Sequence, residues 1–265
     1  MSASLNPLIA QTFSRGADGY AHIRYFWHFG RRIAAHARLR PGQRVLDVAC
    51  GRGASLFPAA EQVGPAGQAI AIDLAEEMVV RPRHEAAARG LHHVQVQTMS
   101  AEQLSFSSAA FDAVLCGFAL PFFQRLGQAL DEMRRVLTPG GRLVAATWGD
   151  DDARWAWLDD LLARYGAIKP LRAQALDTPA SLARALRHAR FTNVRVVAEE
   201  TEIFFTSPDE WWSGLWSISA RAGLEQLDAP ALRQLQSEAF KCAEKLRQPG
   251  GLPFRLQALL GLAIS

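Results

Sequence analysis

Arg44-Val45-Leu46-Asp47-Val48-Ala49-Cys50-Gly51-Arg52-Gly53-Ala54 is the stretch whose reading decides the fold. Arg44 to Val48 is a short apolar run with one carboxylate, rich in β-branched residues, and it predicts a buried parallel strand. The chain then turns through Ala49-Cys50-Gly51 and Gly53 into an Ala/Leu-rich helical pattern. Strand, glycine turn and helix in that order bring backbone N–H groups within hydrogen-bond reach of a bound ligand. A second acidic strand end, Gln68-Ala69-Ile70-Ala71-Ile72-Asp73, places Asp73 20 residues beyond Gly53. A carboxylate at the tip of the neighbouring strand can accept both hydroxyls of a ribose.

Dinucleotide sites share this geometry, but their fingerprint has three glycines and its turn cradles a pyrophosphate. Here the pattern is D-x-A-C-G-x-G, with an acidic residue before the turn. That anion would repel a pyrophosphate and suits a ligand carrying an ammonium and a sulfonium, as S-adenosylmethionine does. At this point the sequence resembles the class I S-adenosylmethionine-dependent methyltransferases, closest to the ubiquinone/menaquinone-biosynthesis type (methyltransferase type 11-like). VLDVACGRG is similar to their first motif, AIDLAEEMV to their second-strand motif, FDAVLCGFAL to their fourth-strand motif and LTPGGRLVAATW to their helix-turn-fifth-strand signature. The likeness covers roughly residues 40–150.

Composition is that of an ordinary globular protein: 265 residues, 49% hydrophobic and 21% charged, enough for one large domain or one domain with a cap. The formal charge of +3 is spread along the chain and leaves no concentrated footprint for nucleic acid. Arg134 and Arg135 precede Thr138-Pro139-Gly140-Gly141 and read as a solvated helix end, where cations complement the dipole. Cys50, Cys116 and Cys242 are odd in number and lack metal-type spacing, which points to a reducing cytoplasm and no metal. No signal-peptide pattern and no run of about 20 apolar residues appears, so no integral membrane association is expected.

Alternating periods predict the organisation. Residues 1–42 read as helices ending at Pro41-Gly42. Strands are predicted at 44–49, 68–73, 93–98, 111–117 and 142–148, with helices at about 54–63, 75–89 and 124–137. Pro82 predicts a kink or an early stop in the second of these helices. This alternation builds a parallel sheet with helices on both faces and a site at the carboxyl ends of the strands. Beyond 150, residues 152–166, 178–189, 209–221 and 230–247 look helical, with long strands at 193–206 and 252–264. The fold expected is α/β: a Rossmann-like, doubly wound, mostly parallel seven-stranded sheet with a helical lid. Residues 1–40 are expected as an N-terminal lid, 41–207 and 250–265 as the cofactor-binding core, and 208–249 as a helical insertion forming part of the acceptor pocket.

The resemblance implies S-adenosylmethionine as cofactor, with S-adenosylhomocysteine as product. Gly51 and Gly53 would let the backbone pass the methionine part, where a Cβ would clash. Asp47 would attract the ammonium directly or through water, beside Ala49. Asp73 would take the ribose hydroxyls, and Leu74 and Met78 would sandwich the adenine. In Met99-Ser100-Ala101-Glu102, serine stands where the family usually has aspartate facing the adenine amino group. Cys116 and Phe118 at the end of the fourth strand would touch the methionine end. Tyr20 resembles the tyrosine that approaches the cofactor carboxylate.

Methyl transfer from a sulfonium is an in-line displacement, so the protein must align the acceptor, exclude water and in some cases remove a proton. Tyr20, His22 and His28 are the candidate catalytic groups, with Tyr25 beside them. Trp211, Trp212 and Trp216, with Phe118, are the candidate walls of a pocket for a flat or apolar acceptor; core packing explains the tryptophans equally well. The partner expected is a small-molecule methyl acceptor, with a homodimer possible. Two other functions stay open: a methyltransferase-fold protein that catalyses a cyclisation or other non-methylating reaction, and a nucleic-acid methyltransferase. The second is disfavoured because Cys116-Gly117-Phe118-Ala119 is no base-flipping tetrapeptide.

Overall fold

The computed structural model describes residues 5–167 and 174–265; residues 1–4 of the predicted helical lead lie outside that range. Seven strands form one sheet: β1 (Arg44–Val48), β2 (Gln68–Asp73), β3 (Val94–Thr98), β4 (Phe111–Gly117), β5 (Leu137–Trp148), β6 (Thr192–Phe205) and β7 (Leu252–Ile264). Their order is β3-β2-β1-β4-β5-β7-β6, parallel throughout except that β7 runs antiparallel to both neighbours. The helices are α1 (Leu5–Tyr20), α2 (Arg24–Ala37), α3 (Leu56–Val63), α4 (Glu76–Ala88), α5 (Leu126–Val136), α6 (Trp157–Arg164), α7 (Pro179–His188), α8 (Pro208–Leu215), α9 (Arg221–Leu224) and α10 (Ala229–Glu244).

Strand alternation sends successive side chains to opposite faces. Val45, Leu115 and Val144 pack with α2, α3 and Val79 of α4 on one side. Leu46, Val48, Val114, Cys116 and Leu143 pack with α5 and α7 on the other. The central strands are covered on both faces, which is why they read as continuous apolar runs.

Within the segment expected as a lid, the two helices do different work. α2 buries Phe29 and Ile33 completely against the sheet, and a Cβ at Gly30 would lie 2.2 Å from the Ala54 carbonyl oxygen. Only glycine allows that approach, so α2 is part of the core. α1 lies over the carboxyl edge, with Ile9 and Phe13 facing the cavity described below, where the first turn of α2 adds Tyr25 and Phe26.

The β6–β7 ladder runs from Thr192↔Ile264 to Phe205↔Leu252, whereas β5 leaves β7 at Trp148↔Ala258. The far end of the hairpin therefore overhangs the sheet. It carries a separate apolar core in which Trp155, Trp211, Trp212, Leu235 and Ala239 join α6, α8, α9 and α10. Ser207 Oγ accepts from the Glu210 N–H and an Asp228 carboxylate oxygen from the Ala231 N–H, capping α8 and α10.

Three local expectations change. α4 runs through Pro82 to Ala88, because Met78, Val79, Pro82 and Ala86 form its buried face and outweigh one lost backbone bond. The fifth strand starts at Leu137, where it already pairs with Phe111. The helix expected over 209–221 stops at Leu215, and the irregular residues that follow press on α1: a Cβ at Gly16 would lie 2.9 Å from the Ser217 carbonyl oxygen.

Candidate active site

The sheet order reverses at β1, between β2 and β4, and the carboxyl ends of β1, β2, β4 and β5 open into one cavity of about 600 Å³. Ala49 (φ 54°) and Phe118 (φ 60°) end β1 and β4 in the left-handed region, and both line the cavity. Non-glycine residues adopt that conformation at a cost, and such strain concentrates where ligands are held.

Asp73 shapes the first wall. Its two carboxylate oxygens accept from the Gly51 N–H and the Ala75 N–H, each at 2.9 Å, tying the β1 turn to the start of α4. Burial raises its carboxyl above the usual range, and those backbone donors pull it part of the way back. The remaining lone pairs are left for a ligand on the cavity side. Leu74, Met78, Met99, Ser100, Ala101 and Glu102 continue this wall. Ser100 Oγ accepts from the Glu102 N–H at 3.2 Å. The Arg125 N–H (3.0 Å) and Nε (2.8 Å) donate to the Glu102 carboxylate; burial pushes that carboxyl up, but these donors outweigh it and hold it below its ordinary value.

Beyond the turn the cavity becomes aromatic. Tyr20 stacks on Phe26 at 4.4 Å, and its ring stands over Gly51, 3.5 Å from where a Cβ would sit. Phe118 stacks on Trp148 at 3.9 Å, with Tyr25 edge-on to Trp148 at 5.7 Å. Trp155, Leu158, Leu215, Ile218 and Phe254 extend this lobe under the cap. At its rim, Arg154 is held by Asp152 and Glu202, and Arg255 by Glu200. Burial first, then neighbouring acidic groups, keep the Tyr20 phenol protonated.

The residues suit S-adenosylmethionine in three respects: a close-approach backbone at Ala49 and Gly51, a carboxylate at Asp73, and an apolar wall at Leu74 and Met78. A model of a methyltransferase domain matches residues 45–141. The nocamycin O-methyltransferase of Saccharothrix syringae is 33% identical over 222 residues, covering 78% of this chain and 79% of that protein. The chain belongs to the class I S-adenosylmethionine-dependent methyltransferases. The aklanonic acid methyltransferase DauC of Streptomyces sp. (strain C5) is 36% identical over 144 residues, covering 54% of this chain and 66% of that protein. Among solved structures, the YcgJ protein of Bacillus subtilis superposes with a TM-score of 0.63 at 21% identity, covering 90% of this chain and 98% of that one, and shares the fold.

In this methyltransferase, Tyr20, Ala49, Gly51, Asp73, Leu74, Met78, Ser100, Ala101, Glu102 and Phe118 stand together on the cavity wall. Other expected residues stand elsewhere. Asp47 is buried beneath the turn, where one oxygen accepts from Ser55 Oγ at 2.8 Å and the other has no partner; burial pushes its carboxyl up to about 7. Gly53 packs on Phe57, and Cys116 sits in the core opposite α2, where burial raises its thiol. His22 is exposed on the surface and His28 is half-buried against the Phe29 edge; neither lines the cavity. Trp211 and Trp212 are consumed by the cap's own core, and Trp216 packs on it under the Arg221 guanidinium. The insertion reaches the cavity through Leu215 and Ile218 instead.

Trp148, Trp155, Phe26 and Phe254 were not expected at the site. Trp148 had a readable signal: it ends the fifth strand on the same carboxyl edge as Asp73 and Phe118. Among the described residues, no group of His, Cys, Asp and Glu is placed to hold a metal, and no helix is long and apolar enough to cross a membrane.

Proposed function

We propose that this methyltransferase moves a methyl group to an oxygen of a small, aromatic or apolar metabolite seated in the aromatic lobe. One observation carries the reading: a single cavity joins the wall built on Asp73 and Gly51 to a chamber of aromatic side chains. A continuous, mostly apolar enclosure with a few convergent polar groups is the form that small-molecule sites take. The nocamycin enzyme is named as an O-methyltransferase, which favours oxygen as the acceptor atom.

Bound S-adenosylmethionine supplies the electrophilic methyl. Asp73 would orient its ribose, the Ala49–Gly51 backbone its methionine part, and Leu74 and Met78 its adenine. Phe26, Phe118 and Trp148 would align the acceptor and exclude water, and holding two reactants in line can supply about 7–11 kcal/mol of barrier reduction. Burial keeps the Tyr20 and Tyr25 phenols protonated, so neither removes the acceptor's proton. The wall of this cavity holds no histidine among the described residues, which favours an acceptor oxygen that is already acidic, as in a phenol or an enol.

Incubation with methyl-labelled S-adenosylmethionine and fractionated metabolite pools tests this. Label is expected in small aromatic molecules on an O-methyl group. Label confined to nucleic acid or protein, or cofactor binding without any transfer, contradicts it.

A further inference from the structure

Tyr25 has no role in holding the cofactor as described above, yet its environment is unusual for a phenol. It is 8% exposed and lines the aromatic lobe, and its hydroxyl has no hydrogen-bond partner among the described residues. The ring is enclosed, but the hydroxyl is open to the lobe, where a ligand can reach it. Aromatic neighbours pack on the ring. Phe26 packs on it at 4.8 Å and Trp148 meets it edge-on at 5.7 Å. Its backbone is fixed as well, in the first turn of α2, whose next turns are locked into the core by Phe29 and Gly30. Tyr20 differs, because its ring stands over the Gly51 turn on the cofactor side. The groups around Tyr25 are aromatic faces and edges, which complement a flat ring better than a branched chain.

We propose that Tyr25 selects the acceptor by donating a hydrogen bond to a carbonyl or phenolic oxygen on a planar ring lying against Phe26, Trp148 and Phe254. This rests on the reading that the aromatic lobe holds the acceptor. Burial pushes the Tyr25 phenol far above its ordinary value, so at neutral pH it is a donor. A ligand that fills the lobe encloses this hydroxyl, so an analogue lacking the matching oxygen leaves it unpaired and is rejected. Tyr25 is in this sense a positioning residue that favours oxygenated planar rings over plain hydrocarbons of the same shape.

Fluorenone and fluorene, a planar pair differing by one carbonyl oxygen, test the assignment. Each is titrated into the full chain loaded with S-adenosylhomocysteine, and quenching of tryptophan fluorescence is read. Tyr25→Phe should weaken fluorenone binding about tenfold and change fluorene binding by less than about twofold. Affinity for S-adenosylhomocysteine and the melting temperature should stay at their wild-type values, which separates selection from a structural role. An equal loss for both probes, or no loss for fluorenone, overturns the assignment while leaving the aromatic lobe as the acceptor site. If neither probe binds the wild-type chain, the acceptor-lobe reading itself fails, and the role of Tyr25 falls with it.

Discussion

Replacing Asp73 by alanine probes the cofactor wall at the point where two functions meet. Its carboxylate holds the Gly51 N–H and the Ala75 N–H at 2.9 Å and, on the present account, two ribose hydroxyls. Hydrogen bonds to a charged acceptor contribute about 1.5–3 kcal/mol each, net of solvation. Asp73 is only half-buried, so water can reach the freed donors, and each ribose hydroxyl counts for about 1.5 kcal/mol, the lower end. Asp73→Ala should therefore cost about 1.5–3 kcal/mol of binding, or about 10- to 150-fold in Kd. Calorimetry with S-adenosylhomocysteine measures this, but a disordered Gly51 turn would produce a loss of its own. An analogue lacking the ribose hydroxyls separates the two effects. The wild-type chain should prefer the natural ligand over the analogue, and Asp73→Ala should bind both alike. A variant that keeps the full preference, whatever its affinity, refutes the ribose assignment.

Other consequences concern charge, the N-terminal helices and the histidines. Burial raises the Asp47 carboxyl to about 7, above its unfolded value, so folding must bury a charge above that pH and holds a proton below it. The contribution of Asp47 to stability should accordingly fall as pH rises from about 4 to 7, and Asp47→Asn should be more stable than wild type by up to about 4 kcal/mol at pH 8 and by almost nothing near pH 4. Urea melts check this; an offset that does not change with pH contradicts it. Deleting residues through 20 should leave a folded sheet without turnover, whereas deleting through 30 also removes buried Phe26 and Phe29, and loss of one such side chain costs about 3–5 kcal/mol. Circular dichroism separates the two, and equal melting of both truncations would show that α2 is not core. His22→Gln and His28→Gln should keep turnover within about twofold; a loss of the order of 10⁴ in either would assign general-base catalysis to a side chain off the cavity wall.

How much the chain disclosed depended on the kind of constraint. β2, β4 and β7 lie where the apolar runs and their flanking glycines predict, because a strand buried on both faces leaves a continuous pattern. The Gly51 turn and Asp73 were legible for the same reason: spacing along a strand–turn–helix unit fixes their geometry locally. The cap was legible as helices but not in its facing. Trp211 and Trp212 read as pocket walls or as core alike; α6 and α10 fold over them, and no local period records which neighbour a helix will meet. Asp47 alternates to the face beneath α3, one residue before the chain turns, so its carboxylate meets Ser55 and not the cavity. Tyr25 carried no motif at all. Its importance appears only once α2 is docked and its hydroxyl is seen without a partner.

The central claim is that acceptor and cofactor share one cavity whose aromatic lobe, not the tryptophan-rich insertion, seats the acceptor. Trp148→Ala and Trp216→Phe, assayed side by side for transfer of labelled methyl to the acceptor recovered from metabolite pools, test it most directly. Trp148→Ala should lose about 100-fold or more in turnover through misalignment, with S-adenosylhomocysteine affinity within about threefold of wild type, while Trp216→Phe stays near wild type. Full turnover in Trp148→Ala together with inactivity in Trp216→Phe would place the acceptor elsewhere and contradict the account.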